Sequence, residues 1–287
     1  MTFEYHLLNL YHDILTNGEH REDRTGTGTI SAFGRQLRIN LQEGFPILTT
    51  KKMGFKSIFA ELLWFVEGSS DERRLAEILY GTRDESKQTI WSGNANADYW
   101  KDKARYPGDL GRVYGVQWRS WKSANETNST IDQLVNVVNT IKTNPTDRRM
   151  IISAWNPGEL HKMALPPCHM MAQFYVSKDK KLSCQMYMRS VDAFLGMPYN
   201  ISSYAMLVHM IAHVTDLDVG ELIMTFGDTH IYSNHVEQVK EQITRSTLEL
   251  PSLKFNRKIS LIDDFKLDDC VLVGYNSHPS IKAEMAV

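Results

Sequence analysis

Cys168 stands behind Pro166 and Pro167 and directly before His169 in LPPCHMMAQF, residues 165–174. Proline has no N–H and fixes its own backbone, so the pair keeps the chain out of helix and sets the thiol at a stiff turn before an apolar run. His169 and nearby arginines can supply the positive field that favours a thiolate nucleophile. Against this stands the commoner use of cysteine as a small buried hydrophobe. Cys184 and Cys270, each inside an apolar strand-like run, take that structural reading.

Arginines beside short polar residues form a second group: Arg24 opens RTGTGT, Arg148 and Arg149 stand in TDRRM, and Arg189 precedes Ser190 in MYMRSVD. Guanidinium forks match phosphate oxygens two at a time. Two adjacent guanidiniums repel unless an anion or carboxylates lie between them, so Arg148-Arg149 is the informative case. A third group, FGDTHIYSNH, brings Asp228, His230 and Tyr232 to one face of a strand by alternation, where they form either a closed polar network or a reader of sugar hydroxyls. His209 and His213 in HMIAH have zinc spacing, but the glutamate of H-E-x-x-H is missing and no third ligand suggests itself, so no metal is expected.

The elements that must position these groups alternate irregularly. Helical periodicity marks residues 4–16, 56–67, 131–142, 199–214 and 233–246. Strand-like runs are TISAFGRQLRIN, MIISAW, MAQFYV, LSCQMYM, ELIMTF and CVLVGY, with KDKK turning the third into the fourth as a hairpin. Without regular βαβ alternation the expected class is α+β: mixed or antiparallel sheets with flanking helices in one domain over 1–287. Residues of about 82–130, rich in Gly, Asn, Asp and Ser, read as surface insertions.

The 287 residues carry a net charge of −2, which argues against holding nucleic acid or an anionic membrane by bulk electrostatics. Three cysteines without C-x-x-C spacing suggest neither a disulfide framework nor a zinc knuckle. The start, MTFEYHLLNLYHD, lacks the basic-then-apolar pattern of an export signal, and a soluble cytoplasmic protein is expected.

In order along the chain, LPPCH, QFYV, LSCQMY, RSVDAFLG, PYNISSYA, GDTHIYSNH and the closing IKAEMAV resemble the folate-dependent, cysteine-using thymidylate synthase family, from RTGTGT to Val287. The resemblance implies reductive methylation of dUMP to dTMP. The co-substrate would be 5,10-methylenetetrahydrofolate, which leaves as dihydrofolate, and Cys168 would add to carbon 6 of uracil to make carbon 5 nucleophilic. It implies phosphate binding by Arg24, Arg189 and Ser190, with Arg148 and Arg149 crossing from the partner of a homodimer whose interface is one face of the sheet. Asn200 would read the uracil edge, and His230 with Tyr232 the deoxyribose hydroxyl. Glu61 would organise water and proton transfer, helped by Tyr114, His169 and Asn200, with Asp192 serving both chemistry and substrate. For the folate the matching positions are Ile90, Trp91, Asp192, Leu195, Gly196, Tyr199 and the C-terminal Ala286-Val287, with Lys51 on its glutamate tail.

Four positions depart from the family pattern. Met188 replaces glutamine before Arg189, Tyr199 replaces phenylalanine before Asn200, Ser92 replaces the aspartate after Ile-Trp, and Arg112 replaces a proline. They keep a second enzyme reading open, a pyrimidine hydroxymethylase in which water rather than hydride attacks the exocyclic methylene. A relative that binds nucleotide without catalysis would be marked by loss of Cys168 or Glu61, and both are present.

Overall fold

Alternating side chains build the strands, and a helix with almost no polar face fills the space beneath them. In the computed structural model, which describes residues 2–23, 26–123 and 129–284, the chain begins α1 (Phe3–Asn17), β1 (Glu19–Arg21), β2 (Thr29–Asn40), α2 (Phe55–Val66) and α3 (Glu72–Tyr80). Next come α4 (Ser92–Ala95), α5 (Tyr114–Arg119), β3 (Trp121–Lys122), β4 (Thr130–Ile131), α6 (Gln133–Thr143) and β5 (Ile151–Ser153). The chain continues with β6 (His169–Val176), β7 (Lys181–Asp192), α7 (Gly196–Val214), β8 (Asp218–Tyr232), α8 (Val236–Ile243), β9 (Ser252–Phe255) and β10 (Cys270–Val273). The six strand-like runs all contain strands, and the class is α+β as expected.

One six-stranded sheet, in the order β1-β2-β8-β7-β6-β5, carries the architecture. KDKK does close a hairpin: β6 and β7 pair antiparallel through a turn in which Lys180 takes φ 57°. β7 and β8 are parallel, and α7 is the crossover between them. Since α7 shows hardly any polar stripe, it must be covered all round, and Ile201, Ala205, Met206, Leu207, Val208, Met210 and Ile211 are buried. Each such large side chain contributes roughly 1.5–3 kcal/mol by leaving water.

Parallel strands end together, so the carboxyl ends of β7 and β8 bring Ser190 opposite Asp228 and Asp192 opposite His230. Gly227 permits this pairing, because a Cβ there would stand 2.7 Å from the Arg189 carbonyl oxygen. The start of β6 reaches the same end of the sheet. A register shift between His169 and Met171 re-aims it, and the Arg189 N–H donates to the Cys168 carbonyl at 2.9 Å.

The reading of 82–130 as surface insertions is corrected by the burial. Trp91, Trp100, Leu110, Val113, Tyr114 and Trp118 belong to the core, so much of this stretch is wall rather than ornament. Its polar residues misled because they lie between the buried aromatics. Among the described residues no helix is long and apolar enough to cross a membrane.

Candidate active site

Cys168 sits at the predicted stiff turn, immediately before β6. Its N–H donates to Tyr114 Oη at 2.8 Å. Arg189 grips the turn from β7, with Nε donating to the Pro167 carbonyl at 2.8 Å and Nη2 to the Pro166 carbonyl at 3.0 Å. Those two carbonyls lie just before the thiol, so the guanidinium both shapes the loop and brings Nη2 to 3.9 Å from Sγ. Burial pushes the Cys168 thiol up, while the Arg189 charge and Tyr114 pull it back only partly. At neutral pH the resting group is therefore a thiol. It differs from Cys184 and Cys270, which are fully in the core; burial pushes Cys184 far up and Cys270 to about 12.

His169 is not the source of positive field expected beside the thiol. Its ring is buried, stacks on Tyr114 with centroids 4.0 Å apart, and pairs through Nδ1 with Tyr204 Oη at 2.9 Å. Burial drives its pKa down to about 3, so it is neutral and serves as a spacer between two tyrosines. Tyr204 was missed by sequence reasoning; its signal is the four-residue step along α7 from Asn200, which puts both on one helix face.

Glu61 and Phe65 are one turn apart on α2, and Phe65 meets Tyr114 with centroids 5.2 Å apart. Gly115 allows that approach, because a Cβ would lie 2.3 Å from the Phe65 carbonyl oxygen. The indole Nε1–H of Trp91 donates to Glu61 Oε1 at 2.7 Å. Burial raises the Glu61 carboxyl to about 7, with the indole hydrogen bond opposing it. A carboxyl poised there can hold or release a proton near neutral pH.

Asp192 terminates β7, and its Oδ1 accepts from the N–H groups of Phe194 and Leu195 at 2.9 and 3.1 Å. This fixes the turn into α7 and the placing of Gly196 and Asn200. A Cβ on Gly196 would stand 3.7 Å from Asp192 Cβ and 3.8 Å from Asn200 Oδ1, ordinary contact distances that set the helix start between those two residues. Tyr199, one residue before Asn200, is 36% exposed. Across the sheet, Asp228 Oδ1 bonds His230 Nδ1 at 2.8 Å, which fixes the ring and leaves Nε2 outside that bond. The His230 bond holds the Asp228 carboxyl below its usual range, and Arg21 Nη1 takes its other oxygen at 3.2 Å. The Tyr232 ring lies edge-on to His230 at 5.1 Å. Asp228 is thus the orienting carboxylate of this pair.

The structure brings together Cys168, Arg189, Ser190, Asp192, Gly196, Asn200, His230 and Tyr232 around the strand ends, with Tyr114, His169, Glu61 and Trp91 walling one side. Ile90, beside Trp91, is 56% exposed at the rim. Arg148 and Arg149 lie elsewhere. They are exposed in the α6–β5 connection, Arg149 holds Asp147, and the pairing of Ile151 with Gln173 sets Arg149 near Tyr175. Seven residues of strand separate Tyr175 from Cys168, about 23 Å at the usual rise. That is beyond an arginine's reach. Lys51 also differs from a free surface cation: buried, it donates from Nζ to the Phe194 carbonyl at 2.5 Å above the Phe194 ring. Burial lowers its pKa to about 7. Arg24 and Ala286 lie outside the described residues.

His209 and His213 do not converge on a common site. His209 packs against Phe45, whereas His213 Nε2 accepts from the Ile259 N–H at 3.0 Å beside Phe255. No group of three His, Cys, Asp or Glu side chains that could hold a metal ion exists among the described residues. Met188, in place of the glutamine of the pattern, is buried between His169 and Phe226, so that position is packing. Arg112, in place of proline, uses the N–H that proline lacks, donating to the Lys162 carbonyl, and its guanidinium holds Glu159.

A family model described as thymidylate synthase matches residues 5–287. With that match spanning nearly the whole chain, the protein belongs to the thymidylate synthase family and is a methyltransferase.

Proposed function

We propose that this enzyme converts dUMP to dTMP through a covalent adduct between Cys168 Sγ and carbon 6 of the uracil ring, with 5,10-methylenetetrahydrofolate as co-substrate. The observation that carries the reading is the thiol at a proline-stiffened turn, 3.9 Å from a guanidinium that also borders the nucleotide cleft. The Cys168 thiol releases its proton to solvent as sulfur bonds to carbon 6, and the displaced electron pair makes carbon 5 nucleophilic. Carbon 5 bonds to the methylene carbon of the folate, the bond from that carbon to the folate nitrogen breaks, and the tetrahydrofolate so released gives the hydride that turns methylene into methyl and becomes dihydrofolate. The carbon 5 proton leaves toward the Glu61 carboxylate through water, and the carbon–sulfur bond then breaks to return the thiolate.

Within this scheme Asn200 reads the uracil edge, because an amide can satisfy a carbonyl and an N–H together. His230 Nε2 and Tyr232 take the deoxyribose hydroxyl; Arg24, Arg189 and Ser190 take the phosphate. Trp91, Leu195 and Tyr199 offer apolar surface for the pterin ring, and the Asp192 oxygen not engaged by Phe194 and Leu195 is the one to meet its N–H groups. The folate's glutamate tail would meet Lys51 only by drawing its ammonium off the Phe194 carbonyl. The C-terminal Ala286-Val287 would close the site over the folate, and a dry site protects the reactive methylene.

The decisive measurement is product analysis with dUMP and methylenetetrahydrofolate. Dihydrofolate and dTMP in equal amounts are expected. Formation of 5-hydroxymethyl-dUMP with tetrahydrofolate would overturn the assignment in favour of the hydroxymethylase.

The active form is a homodimer in this reading. The outer face of the sheet carries Ile151, Met171 and Tyr175 in the open, beside Gln173 and a Gln36–Thr225–Gln185 hydrogen-bonded row. Apolar side chains on an uncovered sheet face call for a partner. Arginines that cannot reach their own site can enter that of a second subunit, where a phosphate would take the place that the Asp147 carboxylate holds for Arg149 here. Mixing inactive Arg149→Ala and Cys168→Ala proteins should then restore up to about a quarter of wild-type activity, from one intact site per hybrid dimer at random exchange. No recovery after verified subunit exchange would exclude the crossing.

A further inference from the structure

Ser92 stands where the family pattern has aspartate, and its hydroxyl points to a carboxylate supplied from another element. Glu72, at the start of α3, is buried, and its Oε1 accepts from Ser92 Oγ at 2.6 Å and from Thr89 Oγ1 at 2.5 Å. A hydroxyl that donates its proton turns its lone pairs the other way. Thr89 Oγ1 accordingly accepts the Trp91 N–H at 3.2 Å, and Ser92 Oγ accepts the Thr89 N–H at 2.8 Å. The turn 89–92 is clamped at both ends by one carboxylate, and Trp91 leaves that turn to reach Glu61. Arg73 anchors the arrangement. Its Nε and Nη2 fork onto Glu72 at 2.5 and 2.6 Å, while Nη1 and Nη2 hold the carbonyls of Asp84 and Lys87. Burial alone would raise the Glu72 carboxyl, but the Arg73 fork and the two hydroxyls outweigh it and keep it below its usual range, hence ionised.

We infer that Glu72 is a positioning residue for the methyl-transfer site: through Thr89 and Ser92 it fixes the indole of Trp91 on the Glu61 carboxyl. The inference rests on the proposed role of Glu61 for its catalytic consequence, but not for the positioning itself. Glutamine at residue 72 has one acceptor oxygen: placed as Oε1 it keeps the two hydroxyls and Arg73 Nη2 but turns an N–H group onto Arg73 Nε, and placed as Oε2 it turns N–H groups onto the hydroxyls, so either way two donors face each other. A carboxylate on residue 92 would stand where Glu72 Oε1 now accepts.

The test compares wild type, Glu72→Gln and Glu72→Gln/Ser92→Asp. The indole N–H resonance of Trp91, assigned with Trp91→Phe, is followed against pH without nucleotide or folate. In the wild type it should titrate with a midpoint of about 7, reporting Glu61. In Glu72→Gln the midpoint should rise by about one unit or the titration vanish, with kcat falling about tenfold. The double variant should recover both. An unchanged titration in Glu72→Gln, or a double variant no better than the single one, overturns the inference. Because the resonance is read without substrates, it stands apart from whether the product is dTMP.

Discussion

Cys168→Ser is expected to abolish turnover while leaving dUMP binding nearly intact, the largest effect of any single substitution in the molecule. Serine keeps the Cys168 N–H that Tyr114 Oη accepts, and the Arg189 contacts to Pro166 and Pro167 do not involve the side chain, so the loop survives. What changes is the nucleophile. Burial already holds the thiol above its ordinary pKa with Arg189 as the opposing charge, and an alcohol in that place starts several units higher still. Loss of at least about 10⁴-fold in kcat is the scale expected when a covalent step is removed. Equilibrium binding of dUMP should shift less than about threefold, since no nucleotide contact is assigned to the sulfur before attack. Mass spectrometry of wild type with nucleotide and a folate analogue should show the adduct on Cys168. Residual turnover in Cys168→Ser near the wild-type rate would remove sulfur from the mechanism.

The parts of the fold that were legible in the sequence are those whose burial is one-sided and regular. Residues 171–176 and 182–188 alternate, and in β6 and β7 they do so against the core, with Ala172, Phe174, Leu182, Cys184, Met186 and Met188 inside. The apolar run of α7 is plain from residue 199, whereas the helix begins at Gly196; Pro198 is tolerated in that first turn because the first N–H groups of a helix have no internal partner. α3 was missed because DERR reads as a solvated charge run and the apolar stripe of Leu75, Ala76, Ile78 and Leu79 behind it is short, whereas Glu72 is buried with Arg73 across it. The same misreading hid the Glu72 clamp. Individual site residues were recognisable by type and order, yet their electrostatics were not. His169 next to Cys168 suggests a cation, and only the packing of Phe65, Tyr114 and Tyr204 around it makes it neutral.

Glu61→Gln should remove activity and at the same time stabilise the protein at alkaline pH. The folded-state pKa of Glu61 is raised to about 7 from 4.5, so between those values the native chain holds a proton that the unfolded chain has released. Where the folded state binds more protons, stability falls as pH rises. The penalty is absent below about pH 4.5, grows through the window and is complete above about pH 7, where it amounts to about 3 kcal/mol. Glutamine keeps the volume and an oxygen for the Trp91 indole but cannot ionise. The Tm of Glu61→Gln should therefore match wild type at about pH 4 and exceed it by several degrees at pH 8.5. Turnover should fall by about 10²–10⁴-fold, the range of a lost positioned proton acceptor. A lower Tm at pH 8.5 would mean that Glu61 is ionised at no cost in the fold, through a solvated path into the cleft, and that its carboxyl is not poised near neutrality. The two halves of the result belong together: the buried charge that makes this helix less stable above pH 7 is the one that lets it accept a proton from carbon 5.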